Sequence, residues 1–286
     1  MERQTYIDQP APKGLAHAVM VAEDFLRDES FIMYLGDNLL KQGAKPLRDV
    51  FEENGSDCVV GVTRVNDPSS YGVVVFNEDG GVKKLVEKPR EQISNWALIG
   101  VYVFNNRIFE AVKRIKPSWR GELEITDAIQ TLLSDGARVD VQRVLGWWKD
   151  TGRPQDLLEA NQLVLQDLTP YNKGTVESTV NLTGSIAIGE GTVVCGPSAI
   201  RGPAIMGRGC EVGPNVYIGP YTSVGDGVVV RNSEVENSIL MEGAHIDCDR
   251  RITDSLIDRK VKILNSEHHI PRDYRLILGD MATVTL

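Results

Sequence analysis

The sequence predicts an α/β domain followed by a parallel β-helix of hexapeptide repeats, with the change of character near residue 170. Up to about Leu168, short apolar runs alternate with segments of helical period. From Leu182 onward every sixth residue is aliphatic: Leu182, Ile188, Val194, Ile200, Met206, Val212, Ile218, Val224 and Val230. Glycine follows directly at 189, 207, 213, 219 and 225. The expected domains are residues 1–169 and 170–286.

In the first half, Leu15, Ala18, Val19, Ala22, Phe25 and Leu26 recur at helical spacing after Gly14. Phe31 to Leu35 is an apolar run ending at Gly36, as in a buried parallel strand. Pro46 opens a helix carrying Leu47, Val50 and Phe51, and Asn54-Gly55 stops it. Cys58 to Val65 is the next strand, and Gly72 to Phe76 with Val82 to Val86 form a hairpin across Asn77–Gly81. Ala97 to Phe104 is a strand, and a helix follows with Ile108, Val112 and Ile115 on one stripe. Ile125, Ala128, Ile129, Leu132 and Leu133 mark another helix, closed by Gly136. A strand over Val139 to Leu145 and a helix from Pro154 complete the domain. Helices between strands predict a mostly parallel, Rossmann-like sheet covered on both faces.

In the second half each hexad predicts one flat side of a coil. Its aliphatic residue points to the axis, and a small or β-branched residue such as Thr192, Ala204, Cys210 or Thr222 stands two positions earlier. Glycine is expected to relieve strain at the corners, where Pro197, Pro203, Pro214 and Pro220 also fit. After Val230 the phase slips, and Val235, Ile239, Ile246, Ile252, Leu256 and Ile257 predict less regular coils.

Composition bounds the partners. At 286 residues, 42% hydrophobic and 25% charged, the chain suits about two globular domains. Its net charge of −9 argues against a nucleic-acid or anionic-membrane surface. No apolar run has bilayer-spanning length and no secretion leader is visible. Cys58, Cys195, Cys210 and Cys248 form no CxxC pair, as expected of reduced thiols in a cytoplasmic protein.

Four motifs carry candidate chemistry. In Gln9-Pro-Ala-Pro-Lys-Gly14, the Gln9 amide offers the donor and acceptor that a pyrimidine edge requires, and Gly14 lets a ligand approach the backbone. His17, just beyond, reads as a helix-surface histidine. Asp37, in Leu35-Gly-Asp-Asn38, stands at a strand's carboxyl end, where open sheets bind ligands and a carboxylate can hold Mg²⁺. Gly72 and the pair Glu87-Lys88 bracket the hairpin, fitting a sugar hydroxyl and a phosphate. Trp148 and Asp150, in Trp147-Trp-Lys-Asp-Thr-Gly152, supply a surface for a ligand and a second carboxylate for the metal.

In this order and spacing the motifs resemble the sugar-1-phosphate nucleotidyltransferases, above all the thymidylyl-transferring long forms with a left-handed β-helix after the catalytic domain. The likeness includes Gly121-Glu-Leu-Glu-Ile-Thr-Asp127 and Leu278-Gly-Asp280. It implies transfer of a nucleotidyl group from dTTP to glucose 1-phosphate, with Mg²⁺ on Asp37 and Asp150. It also implies a pyrimidine base at Gln9 and Gly14, and sugar phosphate at Gly72, Glu87 and Lys88, with Trp148 lining the pocket. Asp37, Lys88 and Asp150 would carry catalysis, and a homo-oligomer is expected. The family's opening GGxGTRLxPxT loop does not precede Gln9, so an N-terminally truncated, impaired form is expected. Two other readings stay open: a hexapeptide-repeat sugar-phosphate acyltransferase, and a non-catalytic nucleotide-sugar-binding or oligomerisation protein. The first wants a histidine on the coil, and Leu182 to Val230 has none.

Overall fold

The computed structural model describes residues 4–265; Leu278–Asp280 and His268-His269 lie outside them. It divides into two compact units, Met1–Gly152 and Arg153–Leu286.

The first unit runs α1 (Leu15–Val21), α2 (Glu23–Leu26), β1 (Phe31–Tyr34), β2 (Asn38–Leu40), α3 (Lys45–Asn54), β3 (Cys58–Arg64), β4 (Val73–Phe76), β5 (Val82–Val86), β6 (Trp96–Phe104), α4 (Arg107–Arg114), α5 (Ile125–Ser134), β7 (Val139–Arg143) and β8 (Trp148–Asp150). The local signals act as their chemistry dictates: Pro46 sits in the first turn of α3, and Gly55 ends it in the left-handed conformation.

The main sheet has the order β5-β4-β6-β3-β7, with β1 also on β6. It is mixed, not mostly parallel. Only β3 and β7 pair in parallel; β1, β3 and β4 all run antiparallel to β6. The reason lies in the connection. A hairpin rather than a crossover helix separates β3 from β6, so β6 returns antiparallel beside β3. Alternation along β3 and β6 then supplies two cores. Cys58, Val60, Leu98, Tyr102 and Phe104 pack with residues of α1, α4 and α5. Val59, Ile99, Val101 and Val103 pack with Leu47 of α3.

The second unit opens with α6 (Pro154–Gln166). The boundary at 169/170 taken from the sequence therefore differs from the division at 152/153. Asn161 of α6 donates to the Tyr221 carbonyl at 2.8 Å and accepts from Ser223 at 2.5 Å, and Gln162 donates to Asn237 at 2.7 Å. These bonds tie α6 to the coil.

Beyond α6 the chain is a parallel β-solenoid with three sheets. Registers repeat every eighteen residues at first: Ile188 lies beside Met206 and Met206 beside Val224, and Val194 leads to Val212 and Val230 in the same way. The slip after Val230 is a shortening of the coil sides. Ile218 pairs with Val235, Val224 with Leu240 and Val230 with Ile246, so the stack continues unbroken. In the later coils Val235, Ile246 and Ile257 are buried as expected, while Leu240 is buried in place of its neighbour Ile239, and Ile252 and Leu256 are only partly buried.

Every member of the six-residue series from Ile188 to Val230 is buried. Leu182, on the first coil, is 40% exposed, having no preceding turn to cover it as fully. Gly213, at φ +108°, takes the strained corner conformation that was expected, whereas Gly189 serves a different purpose. A Cβ on Gly189 would lie 2.3 Å from the Gly207 carbonyl oxygen one turn on, so crowding between coils, not backbone strain, excludes a side chain there. Several corners instead place Asn215, Asn232, Asn237, Asp249 and Asp254 at positive φ. Cys58, Cys210 and Cys248 are buried free thiols, whereas Cys195 is partly exposed. Among the described residues no helix is long and apolar enough to cross a membrane.

Candidate active site

The segments that carry the two carboxylates predicted to share a metal lie side by side, though not as neighbouring ends of parallel strands. Asp150 belongs to the separate short strand β8, which pairs antiparallel with β2 and sets Asn38 opposite Asp150. Thr151 clamps the turn, its N–H and hydroxyl both donating to the Asp37 carbonyl, at 2.7 and 2.8 Å. Asp150 Oδ1 accepts the Gly152 N–H at 3.1 Å.

Trp148 is linked to Asp37 through Asn38. Its indole N–H donates to Asn38 Oδ1 at 2.7 Å, and Asn38 Nδ2 donates to Asp37 Oδ1 at 2.8 Å. The relay orients the Asp37 carboxylate. Trp148 also meets Tyr71 edge-on at 5.6 Å between ring centroids. Gly100, at φ +69°, makes room: a Cβ there would fall 2.8 Å from Asn38 Nδ2.

Next to Tyr71 lies the second half of the site. The Lys88 N–H donates to the Tyr71 carbonyl at 3.1 Å, closing the hairpin base, and Lys88 holds φ at +37°. Strain of that kind in a side chain without special backbone freedom is concentrated at functional positions. Glu87 is largely buried and accepts from Thr126 Oγ1 at 2.6 Å. Gly72 exists for that contact: its Cβ would sit 2.9 Å from Thr126 Oγ1 and 3.0 Å from Glu87 Oε2. Arg120 lies 3.9 Å from Glu87, 3.5 Å from Glu124 and 2.9 Å from Glu122.

Burial pushes the Glu87 carboxyl above the usual glutamate range; the Thr126 bond opposes this, Glu124 adds to it, and Lys88 and Arg120 also oppose it. The folded protein thus holds that proton more tightly than the unfolded chain does. This carboxyl favours the fold at low pH, and the contribution is lost as pH rises from the ordinary range through the raised one. Glu87→Gln is expected to remove that loss, so the variant melts higher than wild type near neutrality. The gap should close at about pH 4; parallel melting curves at both ends would refute the assignment.

At the other end, Gln9 Nε2 lies 3.2 Å from the Gly14 carbonyl and 2.9 Å from His17 Nδ1. Gly14, at φ +98°, is packed by protein rather than left open for a ligand, since its Cβ would lie 2.6 Å from the Leu123 carbonyl oxygen. Leu123 donates to Lys13 at 2.7 Å and accepts from Ala16 at 3.0 Å. The segment that carries Gln9 is thereby stitched to the one that carries Glu122, Glu124 and Thr126. All the predicted site residues join one run of contacts from Gln9 to Asp150.

A family model described as nucleotidyl transferase matches residues 2–167. A glucose-1-phosphate thymidylyltransferase of Streptomyces antibioticus is 46% identical over 283 residues, 99% of this chain and 79% of that protein. The chain belongs to the nucleotidyl transferase family. The low-salt glycan biosynthesis nucleotidyltransferase Agl11 of Haloferax volcanii is 42% identical, again over 99% of this chain and 79% of its own length. A crystal structure of UDP-glucose pyrophosphorylase complexed with UDP-glucose superposes with a TM-score of 0.50 at 29% identity, covering 55% of this chain and 63% of that one.

For a nucleotidyl transferase, the residues that sequence reasoning missed are Arg120, Thr126 and Glu124. Their signal was present: Arg120 immediately precedes the Gly121–Asp127 run. Nothing local says that this run folds back on Glu87. Glu124 is fixed by the Ser118 hydroxyl at 2.8 Å, and its side chain is 5% exposed, which holds the cationic Arg120 at the mouth of the site.

Proposed function

We propose that this chain transfers the thymidylyl group of dTTP to glucose 1-phosphate, giving dTDP-glucose and pyrophosphate. The observation that supports the reading is the β2–β8 pairing, in which Asn38 lies opposite Asp150, Thr151 donates to the Asp37 carbonyl and Trp148 meets Tyr71 edge-on. The named thymidylyltransferase relative, 46% identical, supports this choice of nucleotide and sugar.

Asp37 and Asp150, carried by the adjoining β2 and β8 segments, would suit Mg²⁺, which takes one or two carboxylates together with phosphate oxygens and water. When bound there, the ion supplies charge neutralisation at the α-phosphate. The chain's own residues do the rest. Lys88, which makes no ion pair among the described residues, holds the sugar phosphate, and Arg120 shares its charge. Glu87, steadied by Thr126, accepts hydroxyls of the sugar and fixes the ring. A phosphate oxygen of the sugar phosphate then bonds to the α-phosphorus. The bond from that phosphorus to the α–β bridging oxygen breaks, and its electron pair leaves with pyrophosphate. No covalent enzyme intermediate is involved, so positioning and electrostatics provide the acceleration.

The test is pyrophosphate release by the full chain with dTTP, glucose 1-phosphate and Mg²⁺. Release that requires both substrates and matches the dTDP-glucose formed is expected. Absence of both pyrophosphate release and calorimetric binding of dTDP-glucose would overturn the reading.

A further inference from the structure

We infer that His17 is a specificity-determining residue: it locks the Gln9 side-chain amide so that only an acceptor faces the nucleotide base, selecting bases that carry an imide N–H. This rests on the reading of Gln9 as the base-contacting residue. The inference begins from an atom assignment that the contacts force. The Gly14 carbonyl oxygen can only accept, so the Gln9 atom 3.2 Å from it must be the NH₂ nitrogen. That same nitrogen lies 2.9 Å from His17 Nδ1. An amide NH₂ only donates, so Nδ1 must be the bare ring nitrogen and Nε2 must carry the proton.

Both amide hydrogens of Gln9 are then spent inside the protein. The donor-and-acceptor pair expected from the sequence is reduced to Oε1, which makes no hydrogen bond with any described residue. At one seat in the pocket, thymine and uracil present N3–H, which Oε1 accepts. Cytosine presents a lone pair at N3, and two acceptors face each other. A glutamine free to turn over would read either base. Pinned at Gly14 and His17, it reads one. His17 is thus a positioning residue that acts through Gln9, on the first helix, where α1 brings it one turn beyond Gly14.

The experiment is calorimetry of the full chain with dTTP and with dCTP, for wild type, His17→Leu, His17→Asn and Gln9→Leu. The Leu variant removes the acceptor at the Nδ1 position; the Asn variant restores one there as Oδ1. His17→Leu is expected to weaken dTTP binding about three- to tenfold and to narrow the dTTP-over-dCTP preference by a similar factor. His17→Asn should stay within about twofold of wild type, the scale of a hydrogen bond kept. Nitrogen-15 spectra of His17 should show the Nε2–H tautomer. A wild-type preference in His17→Leu, or an Nδ1–H tautomer, overturns the proposal. If Gln9→Leu itself keeps the preference, it is the base-contact reading that fails.

Discussion

Asp150→Asn is expected to lower the rate of dTDP-glucose formation by about a thousandfold or more while the fold persists, because it removes one of the two anionic ligands of the proposed metal site. The side chain keeps its size, and its remaining oxygen can still accept the Gly152 N–H that Asp150 Oδ1 accepts now. The β2–β8 ladder is made by backbone groups and does not depend on the charge. What changes is the neutralisation of the α-phosphate. Asp37→Asn should behave alike, with one difference: Asn38 donates to Asp37 Oδ1, so loss of the carboxylate there also slackens the Trp148–Asn38 relay. The check is turnover against Mg²⁺ concentration with circular dichroism on the same samples. Near-wild-type turnover in Asp150→Asn would remove Asp150 from the metal site.

Ile218→Ala is expected to cost the solenoid about 2–5 kcal/mol, the range for deleting a fully buried aliphatic side chain. Ile218 is 0% exposed and sits between Ile200 on one coil and Val235 on the next. A cavity at that point cannot be closed by a shift of one neighbour. The coils above and below are held in register by parallel ladders on all three sides. Leu182→Ala removes a similar volume from the same stack but at 40% exposure, and should cost less than half as much. Denaturant melts of the two variants give the comparison. Equal losses would mean that the axis of the coil is not the source of its stability. In a repeat architecture each coil contacts only its neighbours, so the Ile218 lesion should also uncouple the coils on either side of it.

The residues of the candidate site were readable one by one, because strand ends and turns announce themselves through Gly, Asp, Asn and Pro. Leu35-Gly-Asp-Asn38 is such a signal, and so is the hairpin that Tyr71-Gly72 and Glu87-Lys88 close. Their assembly was not readable. Gly72 was expected beside the sugar phosphate together with Glu87 and Lys88; the space beside it is filled by Glu87 and Thr126, which stand 39 positions apart in sequence. Gly14 looked the same, yet the backbone at Leu123 occupies its space. Trp148 looked like a surface for a ligand, while its indole N–H is turned to Asn38. A sequence shows that a position must be small or polar; it does not show what crowds it.

Local chemistry therefore determined the solenoid almost entirely. A six-residue period repeats one environment, so each hexad announces its own inward residue, and Ile188 to Val230 are buried as the spacing requires. The order of helices and strands in the first unit was determined in the same way. The direction of β6, the pairing of β2 with β8 and the gathering of Arg120 and Glu124 around Glu87 were decided only by the tertiary structure. Each depends on contacts between segments far apart in the chain, and no short-range pattern encodes which distant backbone will arrive.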